Sequence, residues 1–141
     1  MTFELKENIL TAKDFLKLRE SAGWGGSPEY QIEAGLKKSL FTVAAVSEEE
    51  IIGMGRLVGD GANICYIQDV IVCPEYQGKG VGTAIMEKLI AFIKANGFAD
   101  THITVGLFAA KGKESFYQKF GFYERPNESR GAGMQMIIRV P

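Results

Sequence analysis

The spacing of apolar positions changes several times along the chain, and each change marks an element. Residues 3–6 read as a short first strand. Thr11 has Asp14 three residues on and Phe15, Leu16 and Leu18 behind it, the signature of a capped helix start. That helix stops near Gly23, because Gly23-Trp24-Gly25-Gly26 disfavours helix and reads as a loop. Ser27-Pro28-Glu29 opens a second helix, with serine as cap, proline in the first turn and an acid near the positive helix end. Residues 40–46 and 51–58 then read as two strands joined by the polar turn Glu48-Glu49-Glu50. After the turn Gly59-Asp60-Gly61, residues 64–72 form a nearly continuous apolar run, the mark of a central strand covered on both faces.

A glycine-rich loop follows, and Val81, Ile85, Leu89 and Phe92 recur behind it at helical spacing until Asn96-Gly97 stops the helix. Residues 101–107 predict the next strand, so strand, loop, helix and strand make a βαβ crossover with parallel strands. A last helix is predicted over 113–120, ended by Gly121. Two short strands, 122–124 and 134–140, are expected to close the chain across the loop 127–133. The sum is an α/β chain with a mixed, mostly antiparallel sheet of six or seven strands and about four helices.

With 141 residues, 46% of them apolar and 23% charged, the chain has the size and makeup of one globular domain spanning 1–141, not of a disordered tail or a membrane span. Its net charge of −1 removes any bulk electrostatic case for nucleic acid or anionic lipid as a partner. Cys65 and Cys73 have neither a disulfide framework nor a zinc spacing and read as reduced apolar fillers. His102 is the sole histidine and reads as a structural residue at a strand start; no metal site is expected. The N-terminus lacks a basic stretch followed by a long apolar run, so a cytoplasmic location is expected.

The chemistry concentrates in Gln77-Gly78-Lys79-Gly80-Val81-Gly82. A strand running into alternating glycines at a helix start is an anion site: backbone N–H groups lack helical partners, the helix dipole adds positive charge, and no Cβ bars a phosphate. Lys79 adds a formal charge. A plain glycine turn is the simpler alternative. The spacing is that of neither a Walker loop nor a Rossmann fingerprint, which leaves ATP or a dinucleotide poorly supported.

Gln77-x-x-Gly80-x-Gly82 resembles the Gln/Arg-x-x-Gly-x-Gly/Ala signature of the GNAT acetyltransferases, and the lead-in from Asp69 to Tyr76 is similar to the strand usual there. The later string Phe116-Tyr117-x-x-Phe120-Gly121-Phe122 and the element order resemble the same family. The resemblance implies a GNAT-type fold and transfer of acetyl from acetyl-CoA to a primary amine by direct attack, with no metal. The pyrophosphate would lie on Gln77, Gly78, Lys79, Gly80, Val81 and Gly82, with Thr83 close by. The pantetheine arm would pair with the strand edge at Val70, Ile71 and Val72, and the Val70 N–H would face the thioester carbonyl.

Tyr117 matches the family tyrosine that protonates the leaving thiolate. A phenol with a pKa near ~10 stays protonated at neutral pH. Tyr117 lies about 100° around the helix from Phe116, free of the core face. The family often has asparagine where this chain has Ala110, and alanine where it has Lys113.

For the acceptor the sequence is thinner. Asp69 is a candidate base, or a buried carboxylate holding a neighbouring loop; Gln68 is placed to orient a water. Trp24 is either a wall for the acceptor or the pin of its own loop. Tyr30, with Arg56, Arg125 and Arg130 behind it, is a further candidate for acceptor binding. Charge balance and size lean toward a small-molecule amine. The alternative is a non-catalytic acyl-CoA-binding sensor or scaffold, which Ala110 favours. Dimers are common among proteins that resemble this one, though no heptad shows one here, so a homodimer stays open.

Overall fold

A computed structural model describes all 141 residues. The chain forms two compact units, Met1–Leu107 and Phe108–Pro141. The first unit holds β1 (Glu4–Glu7), α1 (Ala12–Ser21), α2 (Glu29–Lys37), β2 (Phe41–Ser47), β3 (Glu50–Gly59), β4 (Ile64–Val72), a 3₁₀ turn (Pro74–Tyr76), α3 (Val81–Asn96) and β5 (Thr104–Leu107). The sheet order is β1-β2-β3-β4-β5. The first four strands run antiparallel to their neighbours, and β5 lies parallel to β4, as a crossover through α3 requires.

Local chemistry accounts for most of the boundaries. The Thr11 hydroxyl accepts from the Asp14 N–H at 3.2 Å, and the Asp14 carboxylate accepts from the Thr11 N–H at 3.1 Å, so α1 begins with a reciprocal cap. Glu48 and Glu49, at φ 49° and 65°, form the two-residue turn whose twist suits a hairpin. One Asp60 carboxylate oxygen accepts from the N–H groups of Ala62, Asn63 and Ile64, each at 2.8–3.0 Å. Pro28 occupies the N-cap position of α2 with no side-chain cap, so Ser27 lies one place too early for the capping role its type suggests. His102 is exposed and precedes β5, outside any strand.

The core has two layers. On one side of the sheet, Phe15 and Leu18 of α1 pack on Met54 of β3 and Ile71 of β4, with Ile32 and Leu36 of α2 alongside. On the other, α3 lies across β2, β3 and β4 with Val81, Ile85, Met86 and Leu89 fully buried. Gly53 and Gly55 of β3 let α3 approach: a Cβ at Gly55 would stand 2.7 Å from Ile85 and 2.9 Å from Leu89. Phe41 of β2 stacks on Phe92 of α3 with ring centres 4.3 Å apart.

The second unit contains one short helix, α4 (Glu114–Gln118), whose Phe116 packs edge-on against Tyr117 and Phe120 at 5.0 and 5.4 Å. The strands expected at 122–124 and 134–140 are absent, so the sheet has five strands and not six or seven. Alternating side chains encode a readiness to join a sheet, but a strand exists only beside a partner. Residues 134–140 have none here, and leaving an apolar side chain in water forgoes about 1.5–3 kcal/mol each.

Gly55→Ala should lower unfolding stability by about 1–3 kcal/mol in urea titration, because the added methyl overpacks an interior that cannot yield freely. The three N–H donors hold the Asp60 carboxyl at about 2, below its ordinary 3.8. A carboxyl depressed on folding stabilises the fold above its unfolded value and loses that contribution as pH falls toward the folded one. Asp60→Asn should therefore lose less stability than the parent between about pH 4 and pH 2, read from unfolding curves across that range.

Candidate active site

The site begins with a fault in β4. Met54 faces Ile71 and Arg56 faces Gln68, so Asp69 and Val70 together oppose Gly55 alone. This is a β-bulge: β4 carries one extra residue, and Asp69 takes φ 56° to accommodate it. Paired residues share a face, so Gln68 follows Arg56 and Ile71 follows Met54 to the α1 side. The alternation skips one place between them, and the backbone at Val70 is re-aimed.

The bulge is held by charge. Arg19 of α1 donates to one Asp69 oxygen at 2.8 Å, and Arg56 of β3 donates to the other at 3.1 Å. The Asp69 side chain is only 6% exposed. Arg56 also donates to the Ser39 hydroxyl at 3.3 Å. Arg19 donates a second bond to the Gly25 carbonyl at 2.8 Å and stacks on the Trp24 ring at 5.3 Å. One arginine thus ties the glycine loop after α1 to the bulge. Trp24 is pinned by this contact while 38% of it stays exposed, whereas Tyr30 lies on α2 at 77% exposure.

On its other side β4 opens. Pairing with β5 runs from Ile64↔Thr104 to Ile67↔Leu107 and then stops, so no strand of the sheet flanks residues 68–72 on that side. This edge leads through the 3₁₀ turn to the start of α3. Gly78 and Gly80 take φ 75° and 85°, and a Cβ on either would meet nothing within 4 Å. Gly80 caps α3 without any side-chain bond, and the first helical bond runs from Ala84 N–H to the Gly80 carbonyl. The N–H groups of Val81, Gly82 and Thr83 therefore have no helical acceptor.

Lys79 stands 5.7 Å from the centre of the Tyr76 ring. Gln77 is less available than its place in the motif implies. Its N–H bonds the Pro74 carbonyl at 3.3 Å, and its side-chain amide donates to the Val72 carbonyl at 3.1 Å. Ile71 and Val81 turn buried side chains into the core, so they offer a ligand only backbone.

Tyr117 belongs to the second unit, half-buried on α4 with its ring edge-on to Phe122 at 6.2 Å. Burial pushes its phenol above the ordinary value of 10. Burial likewise raises both thiols, Cys65 and Cys73, which makes them poor nucleophiles at neutral pH. No helix is long and apolar enough to cross a membrane. No group of three or more His, Cys, Asp or Glu side chains is placed to hold a metal ion.

Arg19 is the residue that sequence reasoning passes over. It sits 50 positions from Asp69, and nothing local joins them. The one usable signal is that Arg19 lies four residues after the core residue Phe15, hence on the inward face of α1.

The pattern of the Acetyltransferase (GNAT) family matches residues 11–122. Over 119 residues the chain is 29% identical to the uncharacterized N-acetyltransferase ycf52 of Porphyra purpurea, covering 82% of this chain and 66% of that protein. It is 31% identical to histone acetyltransferase TAP1 of Glycine max, over 84% of this chain and 54% of that one. The chain therefore spans between about half and two-thirds of these relatives' lengths. Among solved structures it resembles SA2161 of meticillin-resistant Staphylococcus aureus, described as a probable acetyltransferase. The TM-score is 0.85 at 34% identity, over 97% of this chain and 100% of that one. The opened β4 edge, the bulge and the bare helix start thus accompany a family match over most of the chain, and the protein belongs to the GNAT acetyltransferase family.

Proposed function

We propose that this chain binds acetyl-CoA where β4 meets α3 and transfers the acetyl group to a primary amine of a small molecule by direct attack. The observation that carries the reading is the unflanked β4 edge at 68–72 running into an uncapped helix start past two glycines of positive φ. That arrangement fits a ligand with an extended amide-bearing arm and a pyrophosphate. The arm pairs with backbone at Val70 and Val72, and the exposed Gln77 side chain releases the Val72 carbonyl to it. The pyrophosphate takes the N–H groups of Val81, Gly82 and Thr83 along the Gly78–Gly80 turn, with Lys79 as counter-charge. Bound acetyl-CoA supplies an activated acyl group.

The chain's own residues do the rest. The Val70 N–H, next to the bulge, holds the developing oxyanion. Tyr117 keeps its proton past the ordinary phenol range and serves as the acid for the departing sulfur. Asp69 acts as a positioning residue, since both its oxygens are occupied by guanidinium N–H donors. The amine gives its proton to water.

Calorimetric titration should show acetyl-CoA binding with no comparable binding of ATP or NAD. Acetyl-CoA binding without thiol release across a broad amine panel would support a sensor instead. Tyr117→Phe should lower kcat about 100-fold with acetyl-CoA affinity unchanged. In the parent, kcat should show no loss from phenol ionisation until the pH exceeds 10. Asp69→Asn should cost about 3 kcal/mol of stability, the low end for a broken buried pair because both arginines keep some water. Loss of kcat with full stability would make Asp69 the base instead.

A further inference from the structure

The loop Gly23-Trp24-Gly25-Gly26 has little reason of its own to hold one shape. Three of its four residues are glycine, and ordering glycine costs more backbone entropy than ordering any other residue. A Cβ at Gly23 or Gly25 would meet nothing within 4 Å, so packing does not clamp those positions. Yet the loop is seated. At its start the N–H groups of Gly23 and Trp24 bond the carbonyls of Glu20 and Arg19 at 3.0 and 2.9 Å. Beyond that point the grip comes from a side chain. Arg19 donates through Nε to the Gly25 carbonyl and through a terminal nitrogen to Asp69, both at 2.8 Å. The same guanidinium lies against two rings, 5.3 Å from the centre of Trp24 and 5.9 Å from that of the core residue Phe15.

A guanidinium is flat and carries its donors in a fixed fork, so two bonds from one group set both acceptors relative to its plane. Here one acceptor belongs to the bulge and the other to the loop. Arg56 holds the same carboxylate but leads elsewhere, to the Ser39 hydroxyl at 3.3 Å. The two arginines are therefore not equivalent: both hold the bulge, and of the two Arg19 is the one bonded to the loop. We propose that Arg19 is a positioning residue for the acetyl transfer, a latch that holds the partly exposed Trp24 ring beside the bulge where the amine meets Val70. The role in transfer rests on the acetyl-CoA site proposed above; the latch itself does not.

Trp24 is the sole tryptophan, so its emission reports the loop without a label. Arg19→Lys keeps a cation for Asp69 but gives up the fork and the flat stacking surface. Acrylamide quenching of Trp24 should about double in that variant as the loop is freed, and stay at the parent value in Arg56→Lys. Phenethylamine, butylamine and spermidine serve as probe amines. For whichever turns over, Arg19→Lys should raise the amine KM about 10-fold, with kcat within about threefold and acetyl-CoA affinity unchanged. Quenching equal to the parent in Arg19→Lys overturns the latch, as does an equal rise in Arg56→Lys. A freed Trp24 with unchanged amine KM overturns the role in transfer. No thiol release from the parent with any of the three removes that role together with the acetyl-transfer reading for these amines, while quenching still decides the latch. Should Arg19→Lys not fold, the anisotropy decay of Trp24 in the parent decides. A decay at the tumbling rate of the folded protein is expected, and a dominant fast local component overturns the proposal.

Discussion

One carboxylate between two arginines organises the functional half of this molecule. Asp69 sits at a bulge that strand pairing alone would not maintain, since it costs a ladder position and a backbone of positive φ. Arg56 meets it from β3 and Arg19 from α1, so three elements far apart in sequence are fixed at one point. Arg19 carries the constraint onward to Gly25 and Trp24. The glycine loop after α1 is therefore referenced to the bulge of β4. Both arginines lie beside Phe15, each 5.9 Å from its ring centre, so the ion pairs rest directly on the α1 layer of the core.

The opposite layer holds the helix that completes the candidate site. α3 must begin where β4 leaves off, and it must lie close enough to the sheet to hold that start still. Gly53 and Gly55 allow the approach by offering no side chain beneath Ile85 and Leu89. A helix seated this firmly has a fixed N-terminus, and unpartnered N–H groups on a fixed frame bind an anion without reorganising. The bulge and the helix start are thus two ends of one rigid β4–α3 unit.

Much of the local structure was legible beforehand. Residues 64–72 match β4 at both ends, and α3 starts at Val81 and stops at Asn96 as its glycines require. Thr11 and Asp14 announce α1, and the glycine loop falls at the turn into α3. Periodicity, capping and turn chemistry depend on neighbours a few residues away, which a sequence displays directly. What tertiary structure alone decided is long-range. It chose the guanidinium partners of Asp69 and set the point at which β5 parts from β4. It also left 122–124 and 134–140 out of the sheet. In each case the outcome rests on which groups meet across tens of residues, and no local pattern encodes who the partner will be.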